Sequence, residues 1–504
     1  MKTVLCRWAC IWPMNSFSRF PMQIMLFVII GWGVVSGSGN LIAQPVPFET
    51  VDGMADGFLK KHAGTHAVLF SERMAVNETL SLTLYHLEPA GYILAAGNFS
   101  LPAVMAYSFE NEFDSDSEPG KSILEMIKTD MLNRLDYQSE ENMANNVQSW
   151  LGLQEWEIRD TTFQQWPPEG TTPTGGWLVT NWTQTQPYNA LCPIDGQSGN
   201  RSVAGCPATA MAQIVNYLKR TNGTRFSDDD DYYHSFGANN SYWIDDAFLQ
   251  HDFPSWPKLN VKLDTLEHHY NNNVTLTSDD KAALTYACGV AARQVYSSSV
   301  SGTYGIDQAF DAFQKFGFAG SMLVMPDNPS LIQHLAQNIM LGCPAHLGLV
   351  DPGWTVGHNV VVDGYNTDEF YHFNFGWGGS ANGWYTMPPQ EIPYNLTVIE
   401  GVVLDIGTDA PPVLIDEPGS KTDISVKYLI EEGKLSVLAH VAKPEKLSLM
   451  VTDLSGKVLF RFEVTLKPET SSLEIPCKLS TPGVYIISAF EEKYAVGSEK
   501  ILIW

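Results

Sequence analysis

Gly205-Cys206-Pro207-Ala208-Thr209-Ala210-Met211-Ala212-Gln213-Ile214, continued by Val215-Asn216-Tyr217-Leu218-Lys219, is the stretch on which the fold turns. Pro207 suits the first turn of a helix, where its missing N–H costs nothing. Ala, Met, Gln and Leu are good helix formers. Met211, Ile214 and Leu218 recur at helical spacing, which predicts one buried face. Cys206 therefore stands at the start of a buried helix. A thiol there feels the positive end of the helix dipole, which favours the thiolate. Such sites lower a thiol pKa from about 8.5 to roughly 3.5–7.5. The plainer alternative is a small cysteine packing as a hydrophobe.

Working outward, the chain has 504 residues, enough for two to four domains. The formal net charge is −26, and it lies between the ends: residues 1–43 contribute +3 and residues 416–504 only −2. Bulk charge so negative does not draw a protein to nucleic acid or anionic lipid. Residues 22–35, MQIMLFVIIGWGVV, follow positive charge and precede small residues. They predict a secretory signal over 1–43, cut near Ala43-Gln44, rather than a stable membrane span, which needs a longer run. Cys6 and Cys10 leave with it. Cys192, Cys206, Cys288, Cys343 and Cys477 remain, an odd and sparse set, so at least one thiol is unpaired. No CxxC spacing occurs, and the acidic run Asp228–Asp231 lacks the spaced ligands of a calcium loop. No metal and no cofactor are expected.

Residues 44–165 form a first domain of mixed α+β character. GYILAAG and AVMAYS read as strands, and residues 121–151 carry helical periodicity. Residues 166–176, WPPEGTTPTGG, hold too much Pro, Gly and Thr for a regular element and predict an exposed, cleavable linker. Residues 177–407 are helical first (the Cys206 helix, 279–296, 306–316) and strand-rich later (345–350, 357–364, 370–375, 398–406). That order argues α+β. A second linker spans 408–420. Residues 421–504 alternate through several short strands, which predicts a small all-β sandwich.

A nucleophilic cysteine needs a base, an orienting partner and oxyanion donors. His358 begins the apolar strand GHNVVVDGY after a glycine and is the candidate base. The next strand, YHFNF, runs into Gly376-Trp377-Gly378-Gly379. A hairpin with its loop at Asn366–Glu369 sets His358 opposite Trp377 and on the face of Phe375, which would shield it. A slip of one residue brings Asn374 to that face instead, as the orienting group. Gln184, in NWTQTQPYN, is the candidate oxyanion donor beside the Cys206 backbone N–H.

Three ordered motifs, NWTQTQPYN, GCPATAMAQIVNYL and GHNVVVDGY…YHFNFGWGG, resemble the streptopain-type cysteine peptidases, peptidase family C10. The resemblance covers roughly residues 45–407. It implies a papain-like catalytic domain, residues 44–165 as an inhibitory propeptide, and autocatalytic maturation of a secreted zymogen acting on proteins or peptides. By position it makes Cys206 the nucleophile, His358 the base and Gln184 the oxyanion donor, and it makes Ser297–Tyr304 a loop of the substrate cleft. The chain departs from the family pattern at Phe375, where Trp is usual, at Pro207, where Val is common, and at Asn359, where a small Ala is usual. Residues 421–504, with VTDLSGKVLF and STPGVYIISAF, resemble the C-terminal sorting domain of type IX secretion. That implies a partner in the secretion machinery and a secreted or cell-surface destination reached by Sec signal and then outer-membrane export. The competing functions are a papain-like amidase or transferase, and a non-catalytic exported binding protein of the same fold.

Overall fold

The computed structural model describes residues 45–137, 139–154, 163–350, 357–387, 399–407, 422–429, 433–441, 445–453, 458–466, 469–479, 483–491 and 494–503. The predicted signal segment and the second linker lie outside the described residues.

In FETVDGMADGFLKKH, Val51, Met54, Ala55, Phe58 and His62 recur every three or four residues and are buried, so the segment folds as α1 (Phe48–His62). Four antiparallel strands follow as a meander: β1 (Ala67–Ala75), β2 (Ser81–Glu88), β3 (Tyr92–Ala96) and β4 (Val104–Ser108). The helical run expected over 121–151 is two helices, α2 (Glu118–Tyr137) and α3 (Glu140–Gln154). The short strand β5 (Gln165–Trp166) comes next.

Helices then dominate: α4 (Cys206–Leu218), α5 (Trp256–Asn271), α6 (Ser278–Ala291) and α7 (Ile306–Lys315), with a hairpin of β6 (Tyr232–Ser235) and β7 (Ser241–Ile244) between α4 and α5. Strands return as β8 (Met322–Val324), β9 (Ala345–Val350), β10 (Gly357–Asn366), β11 (Phe370–Asn374), β12 (Gly383–Thr386) and β13 (Ile399–Leu404), with α8 (Leu331–Met340) after β8. The fold is α+β, with helices grouped before an antiparallel sheet. No helix among the described residues is long and apolar enough to cross a membrane.

One sheet runs through both of the expected first two domains, in the order β1-β2-β3-β4-β12-β11-β10-β9-β13-β8, with β5 also on β10. The junction is β4 against β12, with Tyr107 opposite Trp384 and Ala106 opposite Tyr385. The cores are shared as well. Ile123, Ile127 and Met131 of α2 pack in one cluster with Leu335, Leu347, Phe373 and Tyr385. Phe370 and Trp384 enter the cluster of Phe58, Tyr107 and Trp150. Residues 45–154 and 177–407 thus meet as one packed body, not as two cores joined by a tether. The opposite face of the sheet, through Val361 and Val403, packs on α4, α6 and α7.

The expected exposed linker over 166–176 needs correction. Trp166 pairs with Tyr365 in the sheet. Thr174 is buried and donates from Oγ1 to Leu178 O at 2.6 Å. Only residues 168–173 are open to solvent along most of their length. Pro and Gly forbid a regular element but do not forbid anchoring at both ends.

The C-terminal strands form two antiparallel sheets. One holds β14 (Thr422–Leu429), β15 (Lys434–Val441) and β18 (Glu469–Pro476), and the other β16 (Glu445–Asp453), β17 (Val458–Leu466), β19 (Gly483–Glu491) and β20 (Tyr494–Ile503). Leu435 and Ile475 from the first and Leu449, Val451 and Tyr485 from the second share a core, which makes a sandwich.

Candidate active site

Cys206 is the first residue of α4, and the residue before it explains how. Gly205 has φ +85°, and a Cβ there would lie 2.6 Å from Gln294 Oε1, so the turn into the helix needs glycine. The segment leading in is pinned from two sides. Ala204 N–H donates to Gln184 O at 2.8 Å, and buried Gln294 donates from Nε2 to Ala204 O at 2.7 Å. Thr209 turns its hydroxyl back to Gly205 O at 2.8 Å. Gln184 is therefore held beside the segment that carries Cys206. Among the described residues its side-chain amide makes no hydrogen bond. Val203 N–H donates to Ser297 O, which lays the loop 297–304 along the same approach, with Val300 and Tyr304 exposed on it.

His358 is the second residue of β10. The β10–β11 register at the turn pairs Tyr365 with Tyr371, one residue longer than the expected loop. A bulge between Val362 and Gly364 takes the extra residue up, and Val361 then faces Asn374. Continued to the strand end, this sets His358 opposite Trp377. The rings agree: His358 stacks on Trp377 at 4.4 Å and lies 6.2 Å from Phe375, both nearly parallel. Nε2 of His358 is 2.9 Å from the Phe375 carbonyl oxygen. A carbonyl only accepts, so Nε2 carries the proton and Nδ1 holds the lone pair.

Asn374 does not take the orienting position. It is buried, donates from Nδ2 to Thr180 O at 2.8 Å, and accepts from Gln213 Nε2 at 3.2 Å and Gly376 N at 3.1 Å. It ties α4 to the segment before Gln184. The acceptor on His358 is the Phe375 backbone, while the Phe375 ring supplies the apolar cover. Gly376 turns between them at φ +71°, where a Cβ would press on Thr209 of α4 at 3.1 Å.

The electrostatics also differ from the helix-dipole expectation. Burial pushes the Cys206 thiol up to about 11, against the pull of the Asn359 backbone N–H and side-chain amide and of its own backbone N–H. Burial pushes His358 down to about 4, partly opposed by the Phe375 carbonyl. Near neutral pH the pair is a protonated thiol and a neutral imidazole. One helix terminus is worth at most about 2 kcal/mol, and loss of water around the half-buried sulfur outweighs it. Among the described residues no hydrogen bond joins the sulfur to His358. Alternation along β10 places His358 with Val360 and Val362 on the Phe375 face, and Asn359 with Val361 on the α4 face.

Residues before the linker reach this site. Glu112 O accepts from Ala381 N at 3.1 Å, and Asn111 Oδ1 would lie 3.1 Å from a Cβ at Gly379. Gly378 and Gly379 follow Phe375 and Trp377, and Gly378 N–H donates to Trp182 O at 3.0 Å.

Residues 182–385 match the peptidase C10 family. They form a C10 peptidase domain. The chain is a cysteine endopeptidase, a hydrolase. Streptopain of Streptococcus pyogenes serotype M1 is 24% identical over 339 residues, covering 61% of this chain and 74% of its own. The thiol protease/hemagglutinin PrtT of Porphyromonas gingivalis is 25% identical over 324 residues, again 61% of this chain but 33% of PrtT. Among solved structures, a prointerpain A fragment from Prevotella intermedia is 19% identical with a TM-score of 0.47, covering 67% of this chain and 99% of that one.

Gln213, Gln294 and His346 were not singled out from the sequence, and Asn359 was named there only as a departure from the family pattern. Gln213 left a signal, since it lies seven residues after Cys206 on an otherwise apolar helical face. Its Oε1 accepts from Thr180 Oγ1 and Trp182 N, both at 3.1 Å. Gln294 had none, because only the tertiary fold brings it to Gly205.

Proposed function

We propose that the chain is made as a latent precursor in which Cys206 is the nucleophile, His358 the general base and Gln184 an oxyanion donor. The observation that carries this reading is the Nε2–H of His358 on the Phe375 carbonyl, because it commits Nδ1 as the basic nitrogen. In the reaction, Nδ1 takes the Cys206 proton and the sulfur attacks the scissile carbonyl carbon. The oxyanion is met by the Cys206 N–H and the Gln184 amide. The tetrahedral adduct collapses as the imidazolium protonates the leaving amine, giving a thioester. Water, deprotonated by Nδ1, then attacks the thioester and returns the thiol and a carboxylic acid.

Latency follows from the shared sheet. Strand β4 is seated on β12, and residues 111–112 rest on the loop that follows Trp377. The sulfur is a protonated thiol and His358 is engaged by Phe375 and Trp377. Removal of residues 45–165 frees that loop and lets the imidazole reach the sulfur. The signal over 1–43 and a sorting role for the C-terminal sandwich complete the reading, with export as the destination.

The test is maturation. Wild-type precursor shortens to a form beginning within the exposed residues 168–173, read by N-terminal sequencing. Cys206→Ala and His358→Ala stay long when expressed alone, with at least a thousandfold slower processing. Mature wild-type enzyme added in trans converts them. Normal maturation of purified Cys206→Ala alone would overturn the reading.

A further inference from the structure

Asp363 sits in the β10 bulge, between Val362 and Gly364, and the proposed reaction does not use it. Its side chain is fully buried, and a buried carboxylate needs partners. Oδ1 accepts from His372 Nδ1 at 2.6 Å, and Oδ2 accepts from the Leu178 N–H at 2.8 Å. The Asp363 carbonyl accepts from the Trp177 N–H at 2.8 Å. Gly176 lies directly on the carboxylate, where a Cβ would fall 2.2 Å from Oδ2. Gly175 has φ +85°, and a Cβ on it would meet His372 Nε2 at 3.4 Å. Thr174 closes the turn through its hydroxyl on Leu178 O. The two glycines are therefore required by close approach to Asp363 and His372, not by looseness of the linker. Upstream, Trp166 pairs with Tyr365, two residues along the same strand. The linker thus leaves β10 and returns to it almost at the same point, and only residues 168–173 stand clear between the two anchors.

We propose that Asp363, aimed by His372, is the positioning residue that sets the downstream limit of the maturation cut. It holds residues 174–178 shut against any peptidase cleft and leaves 168–173 to be cut. The proposal rests on the reading of this linker as the place where the precursor is processed. Cutting of a folded protein tracks the population of the opened form, so an anchor that lowers opening at 174–178 directs the cut upstream. An ionised carboxylate accepts hydrogen bonds roughly twice as strong as a neutral group does, which suits Asp363 to this work better than an amide.

The experiment digests the full-length Cys206→Ala precursor with subtilisin, so that the chain's own activity plays no part. New N-termini are sequenced, and cuts within 174–178 are scored against cuts in the exposed loop 297–304, which a general loosening would raise equally. The parent should be cut within 168–173. Asp363→Ala should raise the 174–178 share about tenfold, and Asp363→Asn several-fold. Gly176→Ala, whose Cβ displaces the carboxylate, should raise it too. His372→Ala should act like Asp363→Asn, and His372→Asn, which keeps an N–H near the Nδ1 position, should restore the parent pattern. Thermal unfolding of each variant checks that it is folded, and Asp363→Asn with the two His372 variants decide the matter where Asp363→Ala gives no cooperative transition. Cuts confined to 168–173 in every folded variant would overturn the proposal. If that occurs while precursor with Cys206 intact still shortens itself, the anchor falls and the maturation reading stands. If the variants open at 174–178 but precursor with Cys206 intact never shortens, the anchor stands and the maturation reading falls.

Discussion

The segment before the first linker and the module after the second read alike in sequence: each is a compact stretch set off by Pro-rich chain. In the fold they are opposites. Residues 45–154 lend four strands to the catalytic sheet and bury α2 in its core. Residues 422–503 close two sheets around a core of their own. A sheet with an open edge can take strands from another segment, whereas a closed sandwich has satisfied its apolar faces internally. Linker composition reports where the chain is cheap to cut. It does not report whether strands pair across the cut.

The largest expected effect comes from removing each segment. Cutting out residues 45–165 from folded precursor uncovers the β12 edge and the faces of Phe373 and Tyr385. The unfolding midpoint of the catalytic body should fall on the order of 10 °C, since each kcal/mol is worth about 2–4 °C at this size. Removing residues 421–504 should shift it by no more than about 2 °C, leave peptidase activity in purified enzyme, and keep the protein from leaving the cell. Equal shifts in calorimetry would erase the contrast between the two segments.

A single side chain should reproduce part of the first effect. Arg134 of α2 donates from Nε to Asp130 Oδ2 at 2.7 Å and from Nη2 to Met387 O at 2.7 Å, both across ground that is nearly dry. Arg134→Met removes the anchor on residue 387 and strands the Asp130 carboxylate, whose pKa burial already raises. Breaking a buried pair from one side costs about 3–5 kcal/mol. The precursor should melt earlier and mature faster, and Arg134→Met with Asp130→Asn should recover part of the loss. No change in either readout would show that α2 is held by apolar packing alone.

How much of this was legible depends on whether the signal was local. The Cys206 helix, the β10–β11 hairpin and the alternating strands of the tail follow from periodicities of 3.6 and 2. The facing of His358 and Phe375 was legible although the loop is one residue longer than expected, because the bulge at Asp363 restores the alternation. The slip that would have brought Asn374 forward is excluded by burial: its amide is consumed by Thr180, Gln213 and Gly376. The pairing of β4 with β12 joins residues almost three hundred apart, and no local pattern records it. The thiol's acidity was misjudged for a related reason. The helix start is visible in sequence, but the desolvation that outweighs it comes from the whole fold.

The smallest expected effect is on pH. His346 is fully buried, and burial pushes its pKa down to about 4 from an ordinary 6.5. His62, on α1 against Asp368 of the β10–β11 turn, is lowered for the same first reason, against the opposing pull of Asp368. A histidine whose folded pKa lies below its unfolded one binds more protons when unfolded. Its contribution is therefore intact above about 6.5 and is lost as pH falls from there toward about 4. Asp368 is lowered too, and for a carboxylate the loss comes only as pH falls through its folded value, below the histidine window. Between pH 7 and 5.5 the precursor should lose about 1 kcal/mol through His346, since one pKa unit is worth about 1.4 kcal/mol. Denaturant unfolding at the two pH values measures this. His346→Gln, which cannot titrate, should cut the loss by that amount, and the tail alone should show none of it. A His346→Gln precursor as acid-sensitive as wild type would assign the sensitivity to the other histidines that burial lowers, His62 on α1 and His234 on β6, and so away from the Cys206 site.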